Sequence, residues 1–89
     1  MPTFDDLVFH PSFEDHQLAA GRRVVTAEEA YDAWYGERTF VRNRRRRAAT
    51  YLMLGRTSGG REVTVVVLGT TAPDTWVAYT AWDTKPGDV

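Results

Sequence analysis

The 89-residue chain has no cysteine, which excludes a disulfide framework, a thiolate zinc site and a cysteine nucleophile, and leaves an ordinary hydrophobic core to hold a small domain together. A reducing, cytoplasmic setting fits that absence. Histidine is scarce: His10 and His16 are the only two, with no His-Glu-x-x-His spacing, so a transition-metal centre is not expected and no cofactor is called for. No Gly-x-Ser-x-Gly occurs, and Ser12 and Ser58 have local explanations as a helix cap and a turn residue. Long apolar runs are missing as well. The longest, Val65 to Gly69, falls far short of the roughly 20 residues of a membrane span, and the acidic start from Met1 to Asp6 does not read as a signal peptide. A soluble, unexported chain of one domain spanning 1–89 is expected, without membrane contact.

What is present is ordinary in bulk and uneven in distribution. Hydrophobic residues make up 43% and charged residues 26%, a composition that folds. The formal charge of −1 conceals three blocks. Residues 1–37 hold eight acids against Arg22 and Arg23, a balance of 2 − 8 = −6. Residues 38–61 hold eight arginines (Arg38, Arg42, Arg44, Arg45, Arg46, Arg47, Arg56 and Arg61) and no acid. Residues 62–89 return to 1 − 4 = −3. Ten of the eleven cations are arginine, whose planar fork binds phosphate or carboxylate through two parallel hydrogen bonds and stacks on bases. Arg44 to Arg47 are consecutive and cannot all point inward on a helix or a strand, so most of the run belongs at a surface. Two readings of the block stand side by side: a phosphate-binding segment of the kind found in nucleic-acid patches, or solvated arginines that face acidic helices of the same chain or an acidic partner.

Local patterns supply the elements. Thr3 to His10 reads as a short extended or docking segment. Ser12 with Asp15 three residues on, and Gly21 at the far end, suggests a first helix over about Phe13 to Ala20. Thr26 with Glu29 is a capping box, and Gly36 stops a second helix whose apolar stripe is Ala27, Ala30, Tyr31, Trp34 and Tyr35. From there the period switches to two. Strands are predicted at Thr39 to Val41, Thr50 to Leu54, Glu62 to Leu68 and Thr75 to Trp82, with hairpin turns at Ser58-Gly59-Gly60 and Ala72-Pro73-Asp74. Val65, Val66 and Val67 do not alternate, so the third of these strands is expected at the centre of the sheet, buried on both faces. The expected class is α+β, with two N-terminal helices packed on one face of a three- to four-stranded antiparallel sheet. Arg56 and Arg61 flank the hairpin tip, where they can reach a common anion or merely keep the tip soluble. His16 is a candidate for proton transfer or an ordinary helix residue, and Tyr51 and Tyr79 are stacking partners for bases or edges of the core.

The layout resembles the BrnT-like branch of the RelE-type toxins of bacterial type II toxin–antitoxin pairs. The likeness rests on a short helix ending at Gly21, on Val24-Val25-Thr26-Ala27-Glu28-Glu29-Ala30 opening a second helix, and on the hairpin Leu54-Gly55-Arg56-Thr57-Ser58-Gly59-Gly60-Arg61-Glu62-Val63-Thr64-Val65. The last strand, with Thr80-Ala81-Trp82, completes it over roughly residues 12–83. The resemblance implies a RelE-like fold and a metal-independent mRNA endoribonuclease, neutralised by a cognate antitoxin protein. By position it gives Arg56 and Arg61 to phosphate binding and His16 to proton transfer; taken together with the arginine block and the stacking reading, the expected RNA-binding residues are Arg44, Arg45, Arg46, Arg47 and Tyr51. The alternative is a non-catalytic protein-interaction module whose arginine-rich segment binds an acidic partner, or a second copy as a homodimer.

Overall fold

A computed structural model describes residues 3–19, 25–42 and 50–84. The elements run β1 (Asp6–Phe9), α1 (Phe13–Ala19), α2 (Ala27–Trp34), β2 (Arg38–Arg42), β3 (Thr50–Arg56), β4 (Glu62–Gly69) and β5 (Thr75–Asp83). The strands form one five-stranded sheet in the order β1-β5-β4-β3-β2. Strands β2 to β5 form an antiparallel meander, whereas β1 lies parallel to β5 with Leu7 opposite Trp76 and Val8 opposite Val77.

This corrects the expectation of two N-terminal helices on a three- to four-stranded antiparallel, RelE-like sheet. The sheet is mixed, a strand precedes the helices, and the helices are short. The difference lies in residues 6–9, where the alternation of Leu7 and Phe9 with Val8 is a strand's period. Asp5 and Asp6 anchor the strand through backbone N–H donation to the Asp74 carbonyl, both at 3.0 Å, and His10 N–H donates to the Ala78 carbonyl at 2.9 Å. A segment of four residues carries too little pattern to distinguish a paired edge strand from a docked extension.

The register sorts the side chains onto two faces. Leu7, Phe40, Met53, Val63, Val65, Val67, Trp76, Ala78 and Ala81 form the helix-covered face and join Phe13, Val25, Ala30, Ala33 and Trp34 in one core. Each fully buried valine there contributes about 1.5–3 kcal/mol relative to exposure. Helix α2 buries Ala30, Ala33 and Trp34 and leaves Tyr31 and Tyr35 exposed, so the buried stripe is rotated from the one the sequence suggests. It is also brought close to β3. A Cβ on Gly55 would stand 3.1 Å from both Ala33 Cβ and the Ala33 carbonyl, so the bare backbone lets the helix sit against the strand. Thr3 to Asp5 strap this face: Phe4 stacks on Phe40 at 3.7 Å between ring centroids and lies 4.7 Å from Trp76. Its neighbours accept bonds from the two buried indoles, Trp34 Nε1 donating to the Asp5 carbonyl and Trp76 Nε1 to that of Thr3.

Strand β4 is central, as its unalternated valines suggest, and Val63 to Val67 are all buried. Its partner β5 carries a bulge, Val66 facing Thr80 and Val67 facing Ala78, with Tyr79 the extra residue. The hairpin tip turns through Gly60, at φ 88°, a conformation that glycine adopts without the Cβ penalty. No helix among the described residues is long and apolar enough to cross a membrane.

Candidate functional site

The basic block begins at the end of α2 and its described arginines divide by what holds them. Arg38 donates from Nη1 to the Trp34 carbonyl and from Nη2 to the Phe4 carbonyl, both at 2.8 Å. Its guanidinium lies 5.0 Å from the Trp34 ring centroid and 5.2 Å from that of Phe40. It therefore closes the C-terminal end of α2, where carbonyls lack helical partners and a cation is favoured.

Arg61 is the most enclosed of these cations, its side chain 11% exposed. Nε donates to Asp83 Oδ1 and Nη1 to Glu29 Oε2, both at 2.7 Å. One guanidinium thus joins the hairpin, the last strand and the first turn of α2. Glu29 is the capping-box carboxylate too: Oε1 accepts from the Thr26 N–H at 3.1 Å, while Thr26 Oγ1 accepts from the Glu29 N–H at 3.1 Å. Hydrogen bonding to Asp83 raises the affinity of Arg61 for its proton, and the Glu29 contact adds to it.

Arg56 faces Glu62 across the strand pair, Nη2 to Oε1 at 2.9 Å, on an exposed surface with side chains 53% and 60% exposed. Such a pair contributes little. Beside it lies a hollow of about 340 Å3 lined by Glu37, Arg38, Thr39, Val41, Leu54 and Arg56 among others, with charges of both signs. The two hairpin arginines are thus not joined on a common anion. Each is paired with carboxylates of its own chain.

Tyr51 sits on the helix-covered face, half-buried, with its ring edge-on to Phe4 at 5.3 Å and to Trp76 at 5.5 Å. It is an edge of the core. His16 falls within α1, and its side chain is outside the described part of the structure. Arg44, Arg45, Arg46 and Arg47 belong to the connection between β2 and β3 and also lie outside the described residues. Arg42, the last residue of β2, is exposed at the point where that connection departs.

Two groupings escaped the sequence reading. The Glu29–Arg61–Asp83 bridge joins residues 29, 61 and 83, distances along the chain that no local pattern spans; its one legible part is the capping box. The second involves His10, whose Nδ1 accepts the Ser12 N–H at 3.1 Å and lies 2.7 Å from Ser12 Oγ. Its ring stands edge-on to Tyr79 at 5.2 Å. Ser12 was expected to cap α1, and its hydroxyl meets this imidazole. Among the described residues no group of three or more His, Cys, Asp or Glu side chains is placed to hold a metal ion.

The carboxylates give the fold an acid limit. Arg61 holds the Glu29 carboxyl below the usual range, with help from Thr26, and the Ser58 N–H and hydroxyl, both at 2.8 Å, do the same for Asp32. A carboxyl with a lower pKa folded than unfolded stabilises the fold above its unfolded value and loses that contribution as pH falls through the folded one. The urea midpoint is expected to be flat from neutral pH to about 5 and to fall below about 4, the ordinary carboxylate range. Glu29→Gln, measured by the same titration, should start lower at neutral pH and fall less steeply; an unchanged profile would remove Glu29 from the explanation.

Compared with protein-family models, with curated proteins and with solved structures, the chain finds no match.

Proposed function

We propose that this chain is an RNA-binding module of the toxin-like kind, and that phosphate is met by Arg42 and the Arg44–Arg47 run of the sequence rather than by the hairpin tip. The observation that carries this reading is the division of the arginines. Arg38 and Arg61 are committed to carbonyls and carboxylates inside the fold, and Arg56 is paired with Glu62. Arg42 is exposed at the end of β2, and the four consecutive arginines follow it in a stretch of sequence, residues 38–61, that contains no acid to neutralise them. Closely spaced guanidinium groups match the repeat of a phosphodiester backbone, and each phosphate they neutralise releases condensed counterions.

The reading is of binding, not of cleavage. Moving Arg61 onto a scissile phosphate would strip two carboxylates of their partner, and Arg56 would have to exchange Glu62 for the substrate. An acidic partner protein, the antitoxin of a toxin-like pair, would compete for the same arginines.

Fluorescence anisotropy with a short single-stranded RNA over a salt series tests the proposal. The affinity should fall steeply with salt, with a log–log slope of about −0.7 per phosphate contacted. Replacing Arg44 to Arg47 together by glutamine should flatten that slope by about 3 and leave thermal stability unchanged. Salt-independent binding, or no RNA binding with tight capture of an acidic protein, would favour the interaction module.

A further inference from the structure

Strand β2 forms one edge of the sheet, and its outer side has unmade backbone bonds. Arg56 N–H donates to the Glu37 carbonyl at 3.0 Å, which makes these two a hydrogen-bonded pair in the antiparallel ladder of β2 with β3. Alternation then turns the backbone of Thr39 and Val41 toward Leu54 and Leu52, and the N–H and C=O of Arg38, Phe40 and Arg42 outward. No described residue bonds to those outward groups. Native edges are ordinarily blunted by a bulge, a proline, a very short strand or charge. Strand β2 runs five residues, contains no proline and pairs with β3 without a shift in register, so charge is the guard it has. That charge is unevenly placed. At the start of β2, Arg38 stands beside exposed Glu37 and is tied to the Trp34 and Phe4 carbonyls. At the end, Arg42 is exposed and makes no ion pair with a described residue, and the next acid along the chain is Glu62. Between the two arginines, half-buried Phe40 stacks on half-buried Phe4 and leaves an aromatic margin along the edge.

We infer that the edge of β2 takes an extended, acidic segment of another protein as a further antiparallel strand. The main chain of that segment completes the ladder on the outward groups of Arg38, Phe40 and Arg42, and its side chains set the specificity. A residue directly opposite Phe40 shares its face and packs on the Phe4–Phe40 margin. The residue opposite Arg42 lies two positions away on the same face, so the segment carries an acid and an apolar residue separated by one position, the acid first. A second copy of β2 fits this edge badly. Antiparallel self-pairing over the whole strand centres on Phe40 and sets Arg38 of each copy opposite Arg42 of the other, like charge against like. The guard on the edge thus repels a copy and admits an acidic strand. Arg42 is shared with the phosphate contact proposed above, whereas the outward amides and carbonyls of β2 are not, so the inference goes beyond RNA binding and does not rest on it.

Anisotropy of a fluorescent peptide of about nine residues, threonine-rich with one glutamate and one phenylalanine in that acid-first spacing, tests the inference on the full chain without RNA. Binding is expected. N-methylating the peptide amides of the glutamate and the phenylalanine, which face β2, should weaken it about tenfold or more, whereas N-methylating the intervening amides, which face away, should change it less than about twofold. Arg42→Glu should weaken the peptide about fivefold, and a peptide with arginine in place of its glutamate should recover that loss on the variant, a rescue that a misfolded chain cannot give. Equal binding by the two N-methylated peptides would overturn the proposal, because the arginines would then attract acid without using the strand. No binding by the unmodified peptide would overturn it as well, as would an Arg42→Glu loss that the reversed peptide fails to recover.

Discussion

Trp34→Ala is expected to cost about 3–5 kcal/mol, the range for emptying a large aromatic site in a closed core. Trp34 is fully buried and occupies the junction of three parts of the fold. Its ring meets Phe40 of β2 at 5.3 Å and Phe4 of the strap at 6.3 Å, Arg38 lies over its face, and its indole N–H holds the Asp5 carbonyl. Removing it leaves a cavity, an unpaired carbonyl and a guanidinium without its platform. Domains of this size have about 5–15 kcal/mol to lose, so the variant should unfold at greatly reduced denaturant or fail to fold at 37 °C. Urea unfolding followed by circular dichroism, beside the exposed Tyr31→Ala as control, measures the difference. A Trp34→Ala midpoint matching that of Tyr31→Ala would contradict the packing described.

Arg61→Ala is expected to lose about 2–3 kcal/mol, whereas Arg56→Ala should leave the unfolding midpoint nearly unchanged. Breaking a fully buried charge cluster by removing one member costs about 3–5 kcal/mol, because the remaining charges stay dehydrated. Glu29 and Asp83 are 34% and 41% exposed and recover some water when the guanidinium is gone, which reduces the loss. Arg61→Lys should fall in between, since one ammonium lacks the planar fork that addresses two carboxylates from separate edges. Equal midpoints for Arg61→Ala and Arg56→Ala would show that the bridge does not hold α2 to the sheet.

Much of the fold is legible in the sequence, because the signals for β2 to β5 and for α2 are local. Alternation, the Gly59-Gly60 turn and the Thr26–Glu29 capping box each act within a few residues. Strand β1 was not legible as a sheet partner: its pairing with β5 joins residues about seventy positions apart, and Asp5 and Asp6 look like a solvated end. The mistaken stripe on α2 has a similar cause. Tyr31 and Tyr35 satisfy helical spacing as well as Ala33 does, and the choice falls to the smaller residue because β3 comes close at Gly55.

The arginines show the same limit. Composition marks residues 38–61 as a basic block, and nothing in the spacing tells a guanidinium that holds the fold from one that meets a ligand. Arg61 lies next to the turn and is drawn toward carboxylates contributed by α2 and by β5. Arg38 is drawn back to the end of the helix it follows. Only the tertiary structure separates them from Arg42.

Residue-resolved titration tests that division most directly. Arginine Nε–Hε resonances of the isotopically labelled chain, followed by NMR as a short RNA is added, report each guanidinium separately. The expected result is that Arg42 and Arg44 to Arg47 shift progressively while Arg38 and Arg61 stay fixed. Shifts at Arg61 with Arg44 to Arg47 unmoved would contradict it and return the phosphate contact to the hairpin tip.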